Sequence, residues 1–210
     1  MSKKRIPLFV ASLIVVTALI GVRIWWINAH RIETPVQSFP MNQEIKLDGA
    51  FLDDISEDTN GYSLVVKKAQ IMSANEYLQR YSRDDVKSVE GGDTPNTRVV
   101  LEVEFRNSGS TGAFNIISSW VTGKPSRNTY YRTDTELWEH RETKIGGNYA
   151  AVSIKDGTTY TTFIPFYMLT NPPFLSPYKE KASTYATINE KEFDYLIATK
   201  PQQMRVNVHV

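Results

Sequence analysis

The sequence predicts a mainly β protein: an N-terminal transmembrane helix followed by an antiparallel β-sandwich with one or two short helices. Three observations predict it. Residues 6–22 run without a charge behind Lys3, Lys4 and Arg5. From residue 44 onward, short stretches alternate apolar and polar side chains, with turn residues at roughly 8–12-residue spacing, as in a sandwich. No long amphipathic helices alternate with them, which argues against a doubly wound α/β sheet and leaves a small barrel as the second choice.

The expected anchor comes first. At about 1.5 Å per residue the uncharged run reaches roughly 26 Å, and its continuation to Ile27 roughly 33 Å, which brackets a bilayer core of about 30 Å. Arg23 lies near the far end, where its stem can carry the charge to the interface. Trp25 and Trp26 beside it match an aromatic belt. These three are the candidate membrane-interface residues. The run exceeds the roughly 7–15 residues of a signal-peptide core, and bulky residues 24–27 stand where a cleavage site needs small ones. A retained single-pass anchor is therefore expected. The basic N-terminus places that end in the cytoplasm. The expected layout is a cytoplasmic tail at 1–5, a span at 6–27 in contact with the lipid bilayer, a tether at 28–43 and an extracytoplasmic domain at 44–210.

Composition narrows the chemistry. Hydrophobic residues make up 41% and aromatics 11%, enough for a real core. The chain has no Cys, which excludes disulfides, thiolate metal sites, iron–sulfur clusters and Cys nucleophiles. Four of its 24 basic residues lie in 1–27, so the remainder carries 20 against 23 acidic residues, and a nucleic-acid partner is not expected. No cofactor is expected either. The absence of both Cys and Asn-x-Ser/Thr leans bacterial.

Residues 28–43 contain Pro35 and Pro40 and no period of 2 or 3.6, hence the tether. Residues 44–47 alternate. Residues 62–72 form a long strand candidate with Tyr62, Leu64 and Val66 on one face. Ser73 with Glu76 three positions later has the capping-box form, and Tyr77, Leu78 and Tyr81 make the apolar face of a short helix. A polar loop follows at 82–97. Residues 98–106 are the clearest strand: Val99, Leu101, Val103 and Phe105 point one way, Glu102, Glu104 and Arg106 the other. Further strands are expected at 113–120, 128–133, 136–140, 148–154, 159–168, 182–188 and 204–210, with Asp156-Gly157 closing a hairpin. Asn189 with Glu192 repeats the capping logic, predicting a second helix carrying Phe193, Leu196 and Ile197.

Catalytic signals are weak. His30, His140 and His209 lack the spacing of a metal site, and no nucleophile elbow, P-loop or dinucleotide fingerprint occurs. The acidic stretch 53–61 offers oxygen ligands for calcium, with Asp54, Asp58 and Asn60 as candidates. In an EF-hand register set by Gly61, the bidentate position falls on Lys67, so a solvated loop is the simpler reading. Trp120, Tyr130, Tyr131 and Trp138 lie close together near Lys124, Arg127 and Arg132. Exposed together they form a platform for sugar or peptide; otherwise they fill the core, since Tyr130 and Tyr131 must face opposite ways on a regular strand.

The chain resembles an uncharacterised, mostly Gram-positive bacterial family of single-pass, membrane-anchored extracytoplasmic proteins. The resemblance rests on Lys3-Lys4-Arg5, the span to Ile27, the stretch from Phe51-Leu52-Asp53-Asp54 through Asn60-Gly61-Tyr62-Ser63-Leu64-Val65-Val66, then Glu76-Tyr77-Leu78, Tyr81 and residues 99–107. More loosely, residues 99–107 and Ile164-Pro165-Phe166 resemble immunoglobulin-like domains of the telokin type, which implies an immunoglobulin-like sandwich. These motifs are structural and transfer no catalytic residue. The function expected is a non-enzymatic extracytoplasmic binding module for an envelope protein or wall component. The alternatives are an accessory or immunity subunit of a membrane transporter complex and a cell-envelope hydrolase with a dispersed site.

Overall fold

The computed structural model describes residues 5–30, 34–53, 57–116, 119–124, 129–142, 151–169 and 185–210. Residues 1–34 and 35–210 form two compact units. The first contains one helix, α1 (Arg5–Ala29). Its large apolar side chains from Leu13 to Ile27 are exposed on every side. Among the described residues no helix is long and apolar enough to cross a membrane. The side chains of residues 5–9, 11 and 12 lie outside that description, so the run expected to span is described only in part.

The second unit is mainly β. Its elements are β1 (Val36–Pro40), β2 (Ile45–Lys46), β3 (Tyr62–Met72), α2 (Ala74–Tyr81), β4 (Arg98–Asn107), β5 (Phe114–Asn115), β6 (Trp120–Gly123), β7 (Tyr130–Thr133), α3 (Thr135–Glu139), β8 (Ala151–Val152), β9 (Thr159–Tyr167), β10 (Glu192–Ala198) and β11 (Gln203–His209). Nine strands join in one nearly closed sheet, in the order β1-β11-β10-β6-β7-β9-β4-β3-β2, while β5 and β8 pair separately. All neighbours in the large sheet are antiparallel except β1 and β11.

Alternation decides which side chains meet. Leu64 and Val66 of β3, Val99, Leu101, Val103 and Phe105 of β4, Ile164 and Phe166 of β9, and Phe193, Tyr195 and Ile197 of β10 turn to one face and form the main core. Burying each such side chain contributes about 1.5–3 kcal/mol. A smaller core lies on the other face, where Tyr77 and Leu78 of α2 and Leu137 of α3 pack on Met72 and Val100. Ser73 is the N-cap of α2: its Oγ accepts from the Glu76 N–H at 3.1 Å, while the Glu76 carboxylate pairs with Arg80 at 2.5 Å.

Several expectations are corrected. The tether does not extend to residue 43, because residues 36–40 form β1 at an edge of the sheet; Pro40 is tolerated there because an edge strand leaves one row of N–H groups unpaired. Residues 136–140 are not a strand. Asp134 Oδ1 accepts from the Leu137 N–H at 3.1 Å and starts α3, which sends the adjacent Leu137 and Trp138 into the two different cores. The helix expected after Asn189 is the strand β10, since Phe193, Tyr195 and Ile197 alternate into the core and both edges are bonded. Asp156-Gly157 is a turn, with Gly157 at φ +69°, but β8 pairs with β5 instead of closing a hairpin on β9. The strands expected at 113–120, 148–154 and 182–188 shrink to β5 with the start of β6, to β8, and to a bridge at Tyr185; residues 117–118, 148–150 and 182–184 lie outside the described ones.

Candidate functional site

The face of the sheet opposite the main core carries a row of arginines and aromatics. Register fixes it. Leu196 of β10 stands between Arg205 of β11 and Trp120 of β6. Trp120 pairs with Arg132 of β7, and Arg132 with Tyr167 of β9. Val99 of β4 pairs with Phe166, so Arg98 follows Tyr167 in the row. A second row runs beside it, from Asn207 through Asp194 and Thr122 to Tyr130.

Tyr167 is held between two guanidinium groups. The Arg132 group lies 4.8 Å from its ring centroid and donates from Nη2 to its hydroxyl. The Arg98 group lies 5.3 Å away, and 3.8 Å from the ring centroid of Tyr185. The two tyrosine rings meet edge to face at 5.4 Å. Arg98 is 2% exposed, and its Nε donates to Asp134 Oδ2 at 2.7 Å. Its charge is therefore neutralised inside the protein. Arg132 is exposed, and among the described residues no carboxylate pairs with it. Beside it opens a cleft of about 300 Å³ lined by Arg132, Thr133, Asp134, Thr135, Glu136 and Tyr167.

At the other end of the second row Asp194 is buried. Lys124 Nζ bridges Asp194 Oδ1 at 2.9 Å and Asn207 Oδ1 at 2.8 Å, and Arg205 Nη1 lies 3.8 Å from Asp194 Oδ2. At this end the cations Lys124 and Arg205 are both turned to the buried Asp194 carboxylate, whereas Arg132 is an exposed cation of the same face.

The predicted platform divides here. Trp120 is partly exposed and Tyr130 is 59% exposed, both on this face. Tyr131 and Trp138 are each 1% exposed and belong to the main core, so the expectation that all four share a surface is corrected. Tyr131 lies edge to face with Phe193 at 5.9 Å and donates to Glu190 Oε2 at 2.8 Å. Burial, then that bond, pushes its hydroxyl above the ordinary tyrosine range. Sequence reasoning missed Tyr167, Tyr185 and Arg98. The period of 2 in β4 carries Arg98 to the face of Glu102, Glu104 and Arg106, and only the pairing of β4 with β9 brings it to Tyr167.

Of the calcium candidates, Asp54 lies outside the described residues. Asn60 donates to Asp58 Oδ1 from its backbone N at 3.3 Å and from Nδ2 at 3.2 Å, the pattern of a turn that closes on itself. Gly61 follows at φ +80°, where an added Cβ would stand 3.1 Å from the Ser110 N–H. Among the described residues no three carboxylates or histidines converge on a metal position. Arg23, Trp25 and Trp26 belong to α1, where the Arg23 guanidinium lies 5.1 Å from the Trp26 ring centroid and His30 stacks on the same ring at 4.7 Å.

His140 caps the C-terminal end of α3, with Nδ1 2.7 Å from Asp84 Oδ2. Ser82 Oγ donates to Asp84 Oδ1 at 2.6 Å. A hydrolytic triad needs the serine on the histidine and the carboxylate behind it; here both bond the carboxylate, so the serine gains no base. Those bonds, from Ser82 first and then His140, hold Asp84 below its ordinary 3.8, at about 2. A depressed folded-state pKa gives a contribution present above about pH 4 and lost as the pH falls through about 2. Asp84→Asn is expected to flatten the acid limb of the stability curve over that window, measured by denaturant unfolding; a limb unchanged by the substitution would refute the linkage.

A family described as a domain of unknown function (DUF5028) matches residues 36–204, and the chain belongs to it. No curated protein matches it in sequence. The crystal structure of the yjhA protein from Bacillus subtilis is similar at 12% sequence identity with a TM-score of 0.40, over 81% of this chain and 98% of that one.

Proposed function

We propose that this DUF5028 member is a membrane-anchored, extracytoplasmic binding module. In this reading α1 holds the chain in the cell membrane with its N-terminus in the cytoplasm. The β domain presents the Trp120–Arg132–Tyr167 face to an envelope protein or wall component. The anchor rests on one observation above all: within its own unit, the described side chains of α1 are apolar on every side of the helix. Leu13, Ile14, Val15 and Val16 follow one another at about 100° per residue around the helix, and each is more than half exposed, at 57%, 63%, 57% and 51%. A helix belonging to a water-soluble core buries one stripe. An apolar surface all round suits lipid, and the 25 residues of α1 exceed the roughly 20 that a span requires. Arg23 above Trp26 supplies the charged and aromatic pair of an interface.

Within this proposal the β domain is a sandwich of the immunoglobulin kind. Strands β9, β4, β3 and β2 form one layer and β7, β6, β10, β11 and β1 the other. The support is that β7 and β9 share only the pairs Arg132–Tyr167 and Thr133–Phe166, a narrow joint between two well-bonded halves.

The full chain is expected to stay in the membrane fraction through a carbonate wash, and a chain lacking residues 1–29 is expected in the soluble fraction. Protease added to intact protoplasts should digest the C-terminal domain. Full-length chain recovered from the washed soluble fraction, or a C-terminus shielded from protease, overturns the reading.

A further inference from the structure

We propose that the cleft beside Arg132 takes a saccharide bearing a single oxyanion, a carboxylate or a phosphate. The inference rests on the binding-module reading above and names the ligand class of that same face.

The cation comes first. An arginine paired with an acid is satisfied, as Arg98 is with Asp134. Arg132 is fixed by an aromatic ring and a hydroxyl instead. Among the described residues no carboxylate neutralises it, its plane is held, and its remaining N–H groups form a preformed fork for an oxyanion. Arg98 takes part indirectly: its guanidinium lies against the Tyr167 and Tyr185 rings, which stiffens the support under Arg132.

The flanks fit sugar. Trp120 is the cross-strand neighbour of Arg132 on β6. Tyr130 precedes Arg132 by two residues on the same face and is 59% exposed. Flat, partly wetted aromatic rings suit the apolar C–H faces of a pyranose. Thr135 and the exposed Glu136 line the cleft together with Arg132 and give hydroxyl and carboxylate partners for sugar hydroxyls. The volume, about 300 Å³, stands at the lower end of small-ligand sites.

Charge limits the ligand to one anion. Glu136 and Asp134 share the cleft with Arg132. Beyond residue 27 acidic residues outnumber basic ones, 23 to 20. A polyanion such as nucleic acid meets net repulsion, whereas one oxyanion among hydroxyls finds one cation among acceptors.

The test uses the full chain in detergent micelles, titrated with glucuronic acid, glucose 1-phosphate, glucose, inorganic phosphate and a single-stranded oligonucleotide, and followed by saturation-transfer NMR. At least one acidic sugar should bind roughly tenfold or more tighter than both glucose and inorganic phosphate. Preference between glucuronic acid and glucose 1-phosphate separates a carboxylate source from a phosphate one. Arg132→Gln should weaken that binding about tenfold while the melting temperature holds. Arg132→Lys should recover only part, since it restores charge without the planar fork. If Arg132→Gln does not fold, Glu136→Gln serves: it should weaken the acidic sugar and leave inorganic phosphate unchanged. Glucose binding as well as its acids, phosphate binding as well as the sugar phosphate, tightest binding by the oligonucleotide, no binding of either acidic sugar, or indifference to the substitutions overturns the proposal. A chain found in the soluble fraction overturns the anchor and leaves these titrations intact, so the two failures are told apart.

Discussion

Arg98→Ala is expected to lower the stability of the β domain by about 3–5 kcal/mol, the loss typical when one member of a buried ion pair is removed. Both partners are enclosed, with side-chain exposures of 2% and 8%, and their contact is 2.7 Å. Asp134 has two tasks. Its Oδ1 caps α3 through the Leu137 N–H, and its Oδ2 accepts a hydrogen bond from Arg98 Nε–H. Truncating the arginine leaves a buried carboxylate with one oxygen unpaired and removes the cation from the rings of Tyr185 and Tyr167. Each lost cation–π contact adds about 0.5–2 kcal/mol. Asp134→Asn separates the tasks, because the amide oxygen can still cap α3 while the charge is gone. Its cost should be of the same order as that of Arg98→Ala, because the amide NH2 then faces the Arg98 Nε–H and the buried guanidinium is left without a counter-charge, and the double variant should cost less than the two singles together. Denaturant unfolding of the solubilised full chain, followed by tryptophan fluorescence, measures this. A loss below about 1 kcal/mol for Arg98→Ala would mean that the pair is hydrated and the row around Tyr167 loosely held.

The same residue marks how far the sequence can be read. Alternation over 98–106 identified β4, and the same period of 2 carries Arg98 to the outer face with Glu102, Glu104 and Arg106, a consequence that sequence reasoning left undrawn. The strand 62–72 and the Ser73 cap were equally legible, since both are local. Two short segments were misread for a shared reason: five to seven residues do not separate a period of 2 from one of 3.6. At 192–198 a capping look-alike outweighed the alternation of Phe193, Tyr195 and Ile197. At 135–139 the true cap, Asp134, was overlooked. The edge strand β1 carries no alternation signal because nearly all of it is exposed, and only its partner β11 defines it. The site was half legible. Trp120 and Tyr130 could be proposed from composition, but the meeting of Arg132, Tyr167 and Arg98 depends on β7 and β4 flanking β9, a long-range pairing that no local pattern encodes.

Trp138→Ala is expected to cost about 3–5 kcal/mol, the range for deleting a large buried aromatic side chain. Trp138→Phe isolates the polar share. The ring of Trp138 is 1% exposed, and its Nε1–H donates to Thr162 Oγ1 at 3.0 Å. Thr162 donates in turn to Glu142 Oε1 at 2.5 Å, and the other Glu142 oxygen accepts from the Tyr160 hydroxyl. Glu142 is 4% exposed, with Arg141 Nε 3.5 Å from the oxygen that Thr162 serves. Burial and the hydrogen bond to Glu142 raise the Tyr160 hydroxyl above its ordinary range, so it stays protonated and keeps donating. Phenylalanine preserves most of the apolar burial but withdraws the first donor of this chain. Thr162 then holds an unmet acceptor beside a buried carboxylate, a penalty of about 1–3 kcal/mol. Thr162→Val in the Trp138→Phe background should recover part of it, because the orphaned hydroxyl is gone, although Glu142 then loses its threonine donor. Thermal and denaturant unfolding of the four variants gives the cycle. If Trp138→Ala left stability untouched while abolishing acidic-sugar binding, the indole would belong to the recognition surface and its place in the core would be wrong. A full stability loss with ligand affinity of the folded fraction unchanged assigns it to packing and leaves Trp120, Tyr130 and Arg132 as the recognition surface.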